Sequence, residues 1–188
     1  MSRGFTIAAA LAVLSICMLM GASPASAAKK KPGCARVLAV PQATTLPQAY
    51  RAVLCLINQE RARRRLSALR DSAELTRAAT GHSTDMVAGR FFAHESLDGA
   101  TPRERVLRSG YFRGRAGGAG GAVEEALACG WAQLSTPRAL VASLMSSPAH
   151  QRTLLSRSLR DIGVGLVLGA PQPGMAGGAT LTLDLARR

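Results

Sequence analysis

Two segments near the C-terminal end of the chain have the pattern of β-strands and constrain the fold most strongly. Residues 161–168 are Ile, Val, Leu and Gly after an initial Asp, and residues 179–185 alternate polar and apolar side chains. The Pro- and Gly-rich residues 169–178 connect them. Because the preceding segments have the spacing of helices, we expect an α+β domain in which helices come first and a pair of strands comes last.

Helical patterns occupy much of the chain before these strands. The spacing of apolar residues predicts a first helix from Pro47 to about Arg65. Residues 71–74 resemble a capping box with Asp71 as the cap residue of the next helix. The Gly-rich residues 113–121 predict a loop or turn. Proline suits the first turn of a helix, so three more helices are expected to begin at Pro102, Pro137 and Pro148.

The first 27 residues have the three-part pattern of a secretory signal peptide. Arg3 is the only charge, an apolar stretch follows it, and Ala-Ser-Ala stands at positions 25–27. The apolar stretch is shorter than the roughly 20 residues that span a bilayer, which disfavours the alternative of a membrane anchor. Cys17 suggests a lipoprotein, but the bulky Ile16 before it disfavours lipoprotein processing. We therefore expect cleavage near Ala27 and secretion.

Removal of the signal peptide leaves about 160 of the 188 residues, enough for one domain with its own core. Residues 28–45 lack periodicity and are expected to form a tethering tail, and residues 46–188 to form the domain. No later segment is apolar and long enough to cross a membrane, so no transmembrane anchor is expected after processing.

The formal net charge of +13 predicts attraction to acidic partners at low ionic strength. Arg accounts for 21 of the 24 basic residues, and these are scattered along the chain. Aromatic residues do not alternate with them, so a specific nucleic-acid surface is not expected. The charge instead predicts a solvated surface with some affinity for anionic components of the cell envelope, and not a specific site.

Three cysteines follow the signal peptide, and an exported chain meets oxidising conditions that favour a disulfide. Cys34 lies in the tail and Cys55 in the first helix, so a bridge between them would staple the tail to the domain. Cys129 is then left over, among Ala, Leu and Trp. The alternative is that all three are reduced and buried. A structural metal site is not expected, because no Cys-x-x-Cys spacing occurs.

The three histidines are the residues best suited to metal binding or proton transfer at neutral pH. His82 falls on the apolar face of its helix, and we expect a hydrogen-bonded core histidine away from any groove. His94 follows the end of that helix, where a loop can present it. His150 lies in the first turn of a later helix, whose dipole disfavours protonation and leaves a neutral imidazole.

Seven short motifs follow one another in a recognisable order. They are Leu56–Arg61, His82–Met86, Phe91–His94, Asp98–Pro102, Glu125–Gly130, Ser146–Arg152 and Asp161–Gly165. The order and spacing resemble those of bacterial secreted members of the CAP superfamily (cysteine-rich secretory, antigen 5 and pathogenesis-related proteins). Glu125–Gly130 is similar to the family's Gly-Glu-Asn-Ile-Ala-x-Gly segment, and Ser146–Arg152 to its Asn-Ser-Pro-Gly-His-Arg segment. The resemblance runs from about residue 53 to residue 185.

This resemblance implies a three-layer α-β-α sandwich with a groove lined by two histidines and acidic residues. Carried over by motif, the groove residues are His94, Glu125 and His150, which are also the implied ligands of a weakly bound divalent metal such as zinc. Ser147 or a neighbour stands where many eukaryotic members have a second Glu. Structural zinc sites have four protein ligands, so any metal held here is expected to be dispensable for folding.

Two functions are compatible with such a groove. An extracellular binding module would engage an unidentified ligand, such as a lipid or an anionic component of the cell envelope. A metal-assisted hydrolase, a peptidase or an esterase, would use His94 and His150 as zinc ligands and Glu125 as third ligand or general base. The sequence contains no recognisable Ser-His-Asp or Cys-His arrangement, so the binding module is the favoured prediction.

Overall fold

A computed structural model of the chain describes Met1 and residues 33–114, 121–174 and 177–188. Apart from Met1, the predicted signal peptide (residues 1–27) lies outside the described residues, as do residues 28–32 of the predicted tail. Within the described ranges, no helix combines the length and the apolar character needed to cross a membrane.

Helices come before the terminal strand pair, as expected from the sequence. The α-helices are α1 (Leu46–Arg63), α2 (Ala73–Gly89), α3 (Pro102–Arg108), α4 (Pro137–Ser146) and α5 (Pro148–Leu154). The strands are β1 (Arg70–Asp71), β2 (Ala122–Gly130), β3 (Asp161–Leu168) and β4 (Ala179–Arg187). Short 3-10 helices cover Ala43–Thr45 and Ala132–Ser135.

The four strands form one sheet in the order β1-β3-β4-β2. The pairs β3/β4 and β2/β4 are antiparallel, whereas the two-residue β1 pairs in parallel with β3. The sequence patterns predicted β3 and β4 but neither β1 nor β2. Strand β2 is made of Ala, Val, Glu, Leu, Cys and Gly, a composition with little β-propensity of its own. Its pairing along the full length of β4 therefore accounts for its conformation.

Helices cover both faces of the sheet. Helix α2 packs against β3 and β4, while α1, α4 and α5 pack on the opposite face. Gly163 and Gly165 allow the close approach of α2, because a Cβ at Gly163 would lie only 2.1 Å from the backbone carbon of Leu75. This arrangement confirms the predicted α+β class and the three-layer α-β-α sandwich.

The two faces of the sheet differ in polarity, and the difference positions the candidate site. Leu181, Leu183 and Leu185 of β4 belong to the large apolar core with α1 and α4. The alternate residues face α2, where the Ser83 hydroxyl lies 2.8 Å from the hydroxyl of Thr182. Asp184 lies on this same polar face and is fully buried. The sheet therefore places polar groups beneath α2.

Helix α2 begins one residue later than the capping motif predicts. Ser72 is the cap residue, and its hydroxyl accepts a hydrogen bond from the backbone N–H of Leu75. The expected cap residue, Asp71, belongs to β1 and accepts a hydrogen bond from the Tyr50 hydroxyl. The prediction of Asp71 as the cap is therefore wrong, because pairing of β1 with β3 extends the strand to Asp71.

The described part of the tail is attached to the domain. The Cys34–Cys55 disulfide joins it to α1, which confirms the predicted pairing. The backbone N–H of Arg138 also donates to the carbonyl of Val37 at 2.9 Å. Residues 33–45 thus lie against the domain at these two points.

Candidate functional site

Glu125 is the centre of a buried polar network on the α2 face of the sheet. Strand β2 orients its carboxylate inward, and the residue is only 9% exposed. One carboxylate oxygen, Oε1, accepts a hydrogen bond from His94 Nδ1 at 2.8 Å. The other, Oε2, accepts one from Arg105 Nη2 at 2.6 Å. Both oxygens of Glu125 are therefore engaged within the protein.

Arg105 of α3 fixes the loop that carries His94. Its Nη2 also donates to the His94 carbonyl at 2.9 Å, and its Nη1 donates to the Ala100 carbonyl at 2.8 Å and the Ser96 hydroxyl at 3.1 Å. This guanidinium thus neutralises Glu125 and holds the loop backbone at the same time. Arg105 is absent from the residues expected from the sequence, because its burial depends on the fold of α3 over the sheet.

Asp184 is a second carboxyl group beside Glu125. The two residues are directly opposite each other in the β2/β4 register, and both side chains face α2. No N–H or O–H group among the described residues donates to either Asp184 oxygen. Burial, and then the neighbouring Glu125 charge, raise the pKa of Asp184 well above its ordinary value. A raised pKa favours the protonated form of this carboxyl group beside the Glu125 carboxylate.

His82 is buried, as expected, but it lies beside the site. Its Nε2 donates to the Ala93 carbonyl at 2.8 Å and is 3.9 Å from Glu125 Oε1. Burial, the main cause, lowers the pKa of this imidazole, so it is neutral at pH 7. The expectation that His82 lies elsewhere in the core is wrong, because the loop after α2 folds back over the helix. His82 supports the backbone next to His94.

His94 presents one ring nitrogen outward. Its side chain is 54% exposed, and hydrogen bonding of Nδ1 to the Glu125 carboxylate places the proton of the neutral ring on Nδ1. The other ring nitrogen, Nε2, then carries a lone pair. An exposed imidazole nitrogen of this kind can accept a hydrogen bond or bind a cation.

His150 lies near His94, in the first turn of α5. Burial first, and then repulsion from the charged form of His94, lower the pKa of His150, so its ring is also neutral at pH 7. Ser147, the residue before α5, is half-buried, and its hydroxyl makes no hydrogen bond with the described residues. The predicted groove residues thus comprise the His94–Glu125 pair, a neighbouring neutral imidazole and the Ser147 hydroxyl at the start of the same helix.

The donor groups do not fit a resident zinc ion. Among the described residues, no group of three or more His, Cys, Asp or Glu side chains is arranged to hold a metal. The Glu125 side chain is 1% exposed and holds His94 and Arg105, so the accessible donors are two imidazole nitrogens. Zinc sites in proteins take at least three protein ligands.

Cys129 has an inactive thiol. It is unpaired and half-buried, and its Sγ is 3.8 Å from the Gln172 side-chain oxygen. Burial raises the pKa of this thiol, so little thiolate is present at neutral pH. It is therefore unsuited to nucleophilic chemistry.

Comparison with known proteins identifies the fold. The model of the cysteine-rich secretory protein family (CAP) matches residues 54–175. No curated protein matches the chain. A solved extracellular protein of Bacillus anthracis that contains an SCP domain is similar, with 21% identity and a TM-score of 0.63. The similarity covers 79% of this chain and 44% of that one, so this chain spans less than half of the Bacillus protein.

An outer surface protein of Borrelia burgdorferi has the same fold over 77% of this chain and 95% of its own, with 19% identity and a TM-score of 0.61. Identities this low demonstrate a shared fold alone. The family model, in contrast, matches more than half of the chain. The chain therefore belongs to the cysteine-rich secretory protein (CAP) family.

Proposed function

We propose that this protein is an extracellular binding module and that it holds its ligand in the groove of His94 and His150. The observation that carries the proposal is the double engagement of Glu125 by His94 and Arg105. A carboxylate held in this way orients His94 and fixes its proton on Nδ1. The site therefore presents two imidazole rings, and the Nδ1-protonated tautomer of His94 leaves its Nε2 able to accept a hydrogen bond from a hydroxyl or N–H group.

Several observations support an extracellular location. The two similar structures come from an extracellular protein and an outer surface protein. The Cys34–Cys55 disulfide is typical of oxidising compartments. The N-terminal pattern of residues 1–27 is that of a cleaved secretory signal. Together they favour a ligand from the cell envelope, such as a lipid or an anionic envelope component.

The alternative, a metal-assisted hydrolase, lacks structural support. A general base must reach the attacking water, whereas the Glu125 side chain is only 1% exposed and is held by His94 and Arg105. Within the described ranges, no Ser, Thr or Cys side chain hydrogen-bonds to His94 or His150. A divalent cation would find two imidazoles here, and we expect it to bind weakly and reversibly.

Cosedimentation with envelope material tests the proposal. Mature protein is mixed, at about 0.15 M salt to screen exposed charges, either with insoluble bacterial cell wall or with vesicles of phosphatidylglycerol and phosphatidylcholine. Loss of two hydrogen bonds, each worth about 0.5–1.5 kcal/mol, should weaken binding of the His94→Ala/His150→Ala variant about tenfold. The control Gln48→Ala/Gln133→Ala changes two exposed neutral residues and should bind like the wild type.

Two results would contradict the binding module. The first is equal binding by the wild type and the histidine variant in both preparations. The second is turnover of a peptide or ester substrate that zinc supports and that Glu125→Gln abolishes, which would favour the hydrolase.

A further inference from the structure

One end of the sheet carries exposed apolar side chains, away from Glu125. Strand β2 ends at Gly130, which pairs with Ala179 at the start of β4, and Ala179 pairs with Leu168 at the end of β3. Gly130 is five residues along β2 from Glu125, a distance of about 17 Å. The large apolar side chains exposed at or beside this end are Leu38, Trp131, Leu134 and Leu168.

The turn after β2 holds two of these side chains outward. The backbone N–H of Leu134 donates to the Trp131 carbonyl at 2.9 Å, and the Ser135 hydroxyl donates to the Ala132 carbonyl at 2.6 Å. Gly130 lets the turn fold back, because a Cβ there would lie 2.2 Å from the Leu134 carbonyl oxygen. Ala132 has a φ of 46°, which is unfavourable for a residue other than glycine. A well-fixed turn thus leaves Trp131 45% exposed.

The tail and the segment after β3 complete this surface. The backbone N–H of Arg138, in the first turn of α4, donates to the Val37 carbonyl at 2.9 Å. This bond places the exposed Leu38 beside α4, directly after the turn. On the other side, Leu168 borders a cavity whose described lining residues are all uncharged. We call Leu38, Trp131, Leu134 and Leu168 the apolar end.

The charges within the segments that form the apolar end are all positive. Residues 33–45, 130–140 and 165–183 contain no Asp or Glu. Arg36 and Arg138 lie in these segments, are exposed and make no ion pair with the described residues. Apolar side chains and uncompensated positive charge therefore occur together on this surface.

Glu60 does not neutralise this charge, although it lines a shallow cavity together with Arg138. Its Oε1 is paired with Arg63 and its Oε2 with Arg64, the latter at 2.6 Å. Arg138 is therefore available to a partner outside the chain. The three lysines of the sequence, Lys29–Lys31, come directly before the described tail and add to the positive charge on this side in sequence.

We propose that the apolar end docks the mature protein on the surface of a membrane of anionic phospholipids. An indole ring is suited to the boundary between head groups and acyl chains. Leucines beside it can enter the outer acyl region, as the apolar face of an interfacial helix does. Exposed arginines at the rim can bind the phosphate oxygens of the head groups.

Charge and chemistry favour a lipid surface over the other partners of an apolar surface. A second copy of the chain, docked through the same surface, would bring the arginines of both copies together, and like charges oppose such a contact. A soluble anionic polymer would satisfy the arginines but would offer no apolar phase for Trp131 and the leucines. An anionic membrane provides both.

The fluorescence of Trp131 tests the proposal. It is the only tryptophan of the chain, so its emission reports on the apolar end alone. Vesicles of phosphatidylglycerol and phosphatidylcholine are added to mature protein at about 0.1 M salt, where the Debye length is about 10 Å. We expect a blue shift of the emission and protection from acrylamide quenching. Phosphatidylcholine vesicles alone should produce neither effect.

Two pairs of leucines separate the apolar end from general stickiness. Leu38→Ala/Leu134→Ala removes apolar surface while it keeps the fluorophore, and it should raise the lipid concentration needed for half of the emission shift about tenfold. Leu97→Ala/Leu107→Ala is the matched control, because both leucines are exposed but lie elsewhere. This control should bind nearly like the wild type.

Two pairs of arginines separate local from overall charge. Arg36→Gln/Arg138→Gln should weaken vesicle binding about tenfold. Arg77→Gln/Arg113→Gln removes the same charge from exposed positions in α2 and after α3, and it should bind nearly like the wild type.

Four results would overturn the proposal. They are vesicle binding that leaves the Trp131 emission unchanged, equal effects of a variant and its control, an equal blue shift with soluble poly(glycerol phosphate), and a blue shift that appears with rising protein concentration before any lipid is added. The His94→Ala/His150→Ala variant keeps the apolar end intact and should show the full emission shift. Its binding to cell wall then reports on the groove alone, so failure of one proposal is distinguishable from failure of the other.

Discussion

Replacement of Asp184 by Asn should stabilise the domain at neutral pH. Asp184 is 0% exposed, lies opposite Glu125 and receives no hydrogen bond from a described donor. With Asp184 protonated, the buried Glu125 and Arg105 charges balance each other, and loss of that proton would leave one uncompensated negative charge. Asn has nearly the same shape and is neutral at every pH, so it avoids the cost of a buried negative charge at this position.

The sign and size of the effect follow from the pKa of Asp184, which burial and Glu125 raise in the folded state. In the unfolded chain an Asp ionises with a pKa of about 3.9. The stability contributed by the protonated group is thus complete below about pH 4. It declines by about 1.4 kcal/mol per pH unit as pH rises toward the folded pKa. We expect Asp184→Asn to gain stability at pH 7, by up to about 4 kcal/mol, which is the full slope between pH 3.9 and pH 7, and to gain little at pH 4.

Urea denaturation at several pH values between 4 and 8 measures this difference. Asp98→Asn is the matched control, since Asp98 is 66% exposed and should show no pH-dependent gain. The reasoning would be refuted by an Asp184→Asn variant that is less stable than the wild type at pH 7, or by a difference between the two proteins that does not change with pH.

Three further predictions concern packing, the disulfide and metal binding. Gly165→Ala would place a Cβ 2.2 Å from the Ala79 backbone and should lower the free energy of unfolding by about 1–3 kcal/mol. Gly81→Ala, where a Cβ would meet no described atom within 4 Å, should raise it by about 0.5–1 kcal/mol. Equal effects of the two substitutions in chemical denaturation would contradict this packing of α2. Cys34→Ser/Cys55→Ser removes a disulfide between residues 21 positions apart and should lower the free energy of unfolding by about 3 kcal/mol. A loss below about 1 kcal/mol would show that attachment of the tail does not stabilise the domain. Chelator should leave the melting temperature nearly unchanged and excess zinc should raise it only slightly by mass action, and a large loss on chelation would indicate a closed metal site.

Much of the fold follows from local patterns in the sequence. Proline at helix starts and the alternation of residues 179–185 predict helices and strands that the structure contains. Strand β2 lacked such a signal, because its conformation depends on pairing with the distant β4. The prediction of Asp71 as the cap residue of α2 failed for a related reason. Arg70 and Asp71 pair with the distant β3, so the strand extends to Asp71 and the helix begins after it.

The candidate site was only partly predictable. His94 and His150 were singled out by the chemistry of histidine, and the family resemblance then grouped them with Glu125 in one groove. Arg105 and Asp184 were missed, because one is an arginine in an arginine-rich chain and the other is a polar residue in an alternating strand. The available signal was a carboxyl group at a polar position of the alternating strand β4. The sequence does not show that this face of the strand is buried beneath α2. Only the cross-strand register places Asp184 beside Glu125.

The central claim is that Glu125 holds the proton of His94 on Nδ1 and leaves Nε2 available to a ligand. Long-range ¹⁵N–¹H NMR spectra of the imidazoles at pH 8, above the ordinary imidazole pKa of about 6.5, test it most directly. We predict a protonated Nδ1 and an unprotonated Nε2 for His94 in the wild type, and a mixture of the two tautomers in Glu125→Ala. A wild-type His94 with its proton on Nε2, or a tautomer unaffected by the loss of Glu125, would contradict the account.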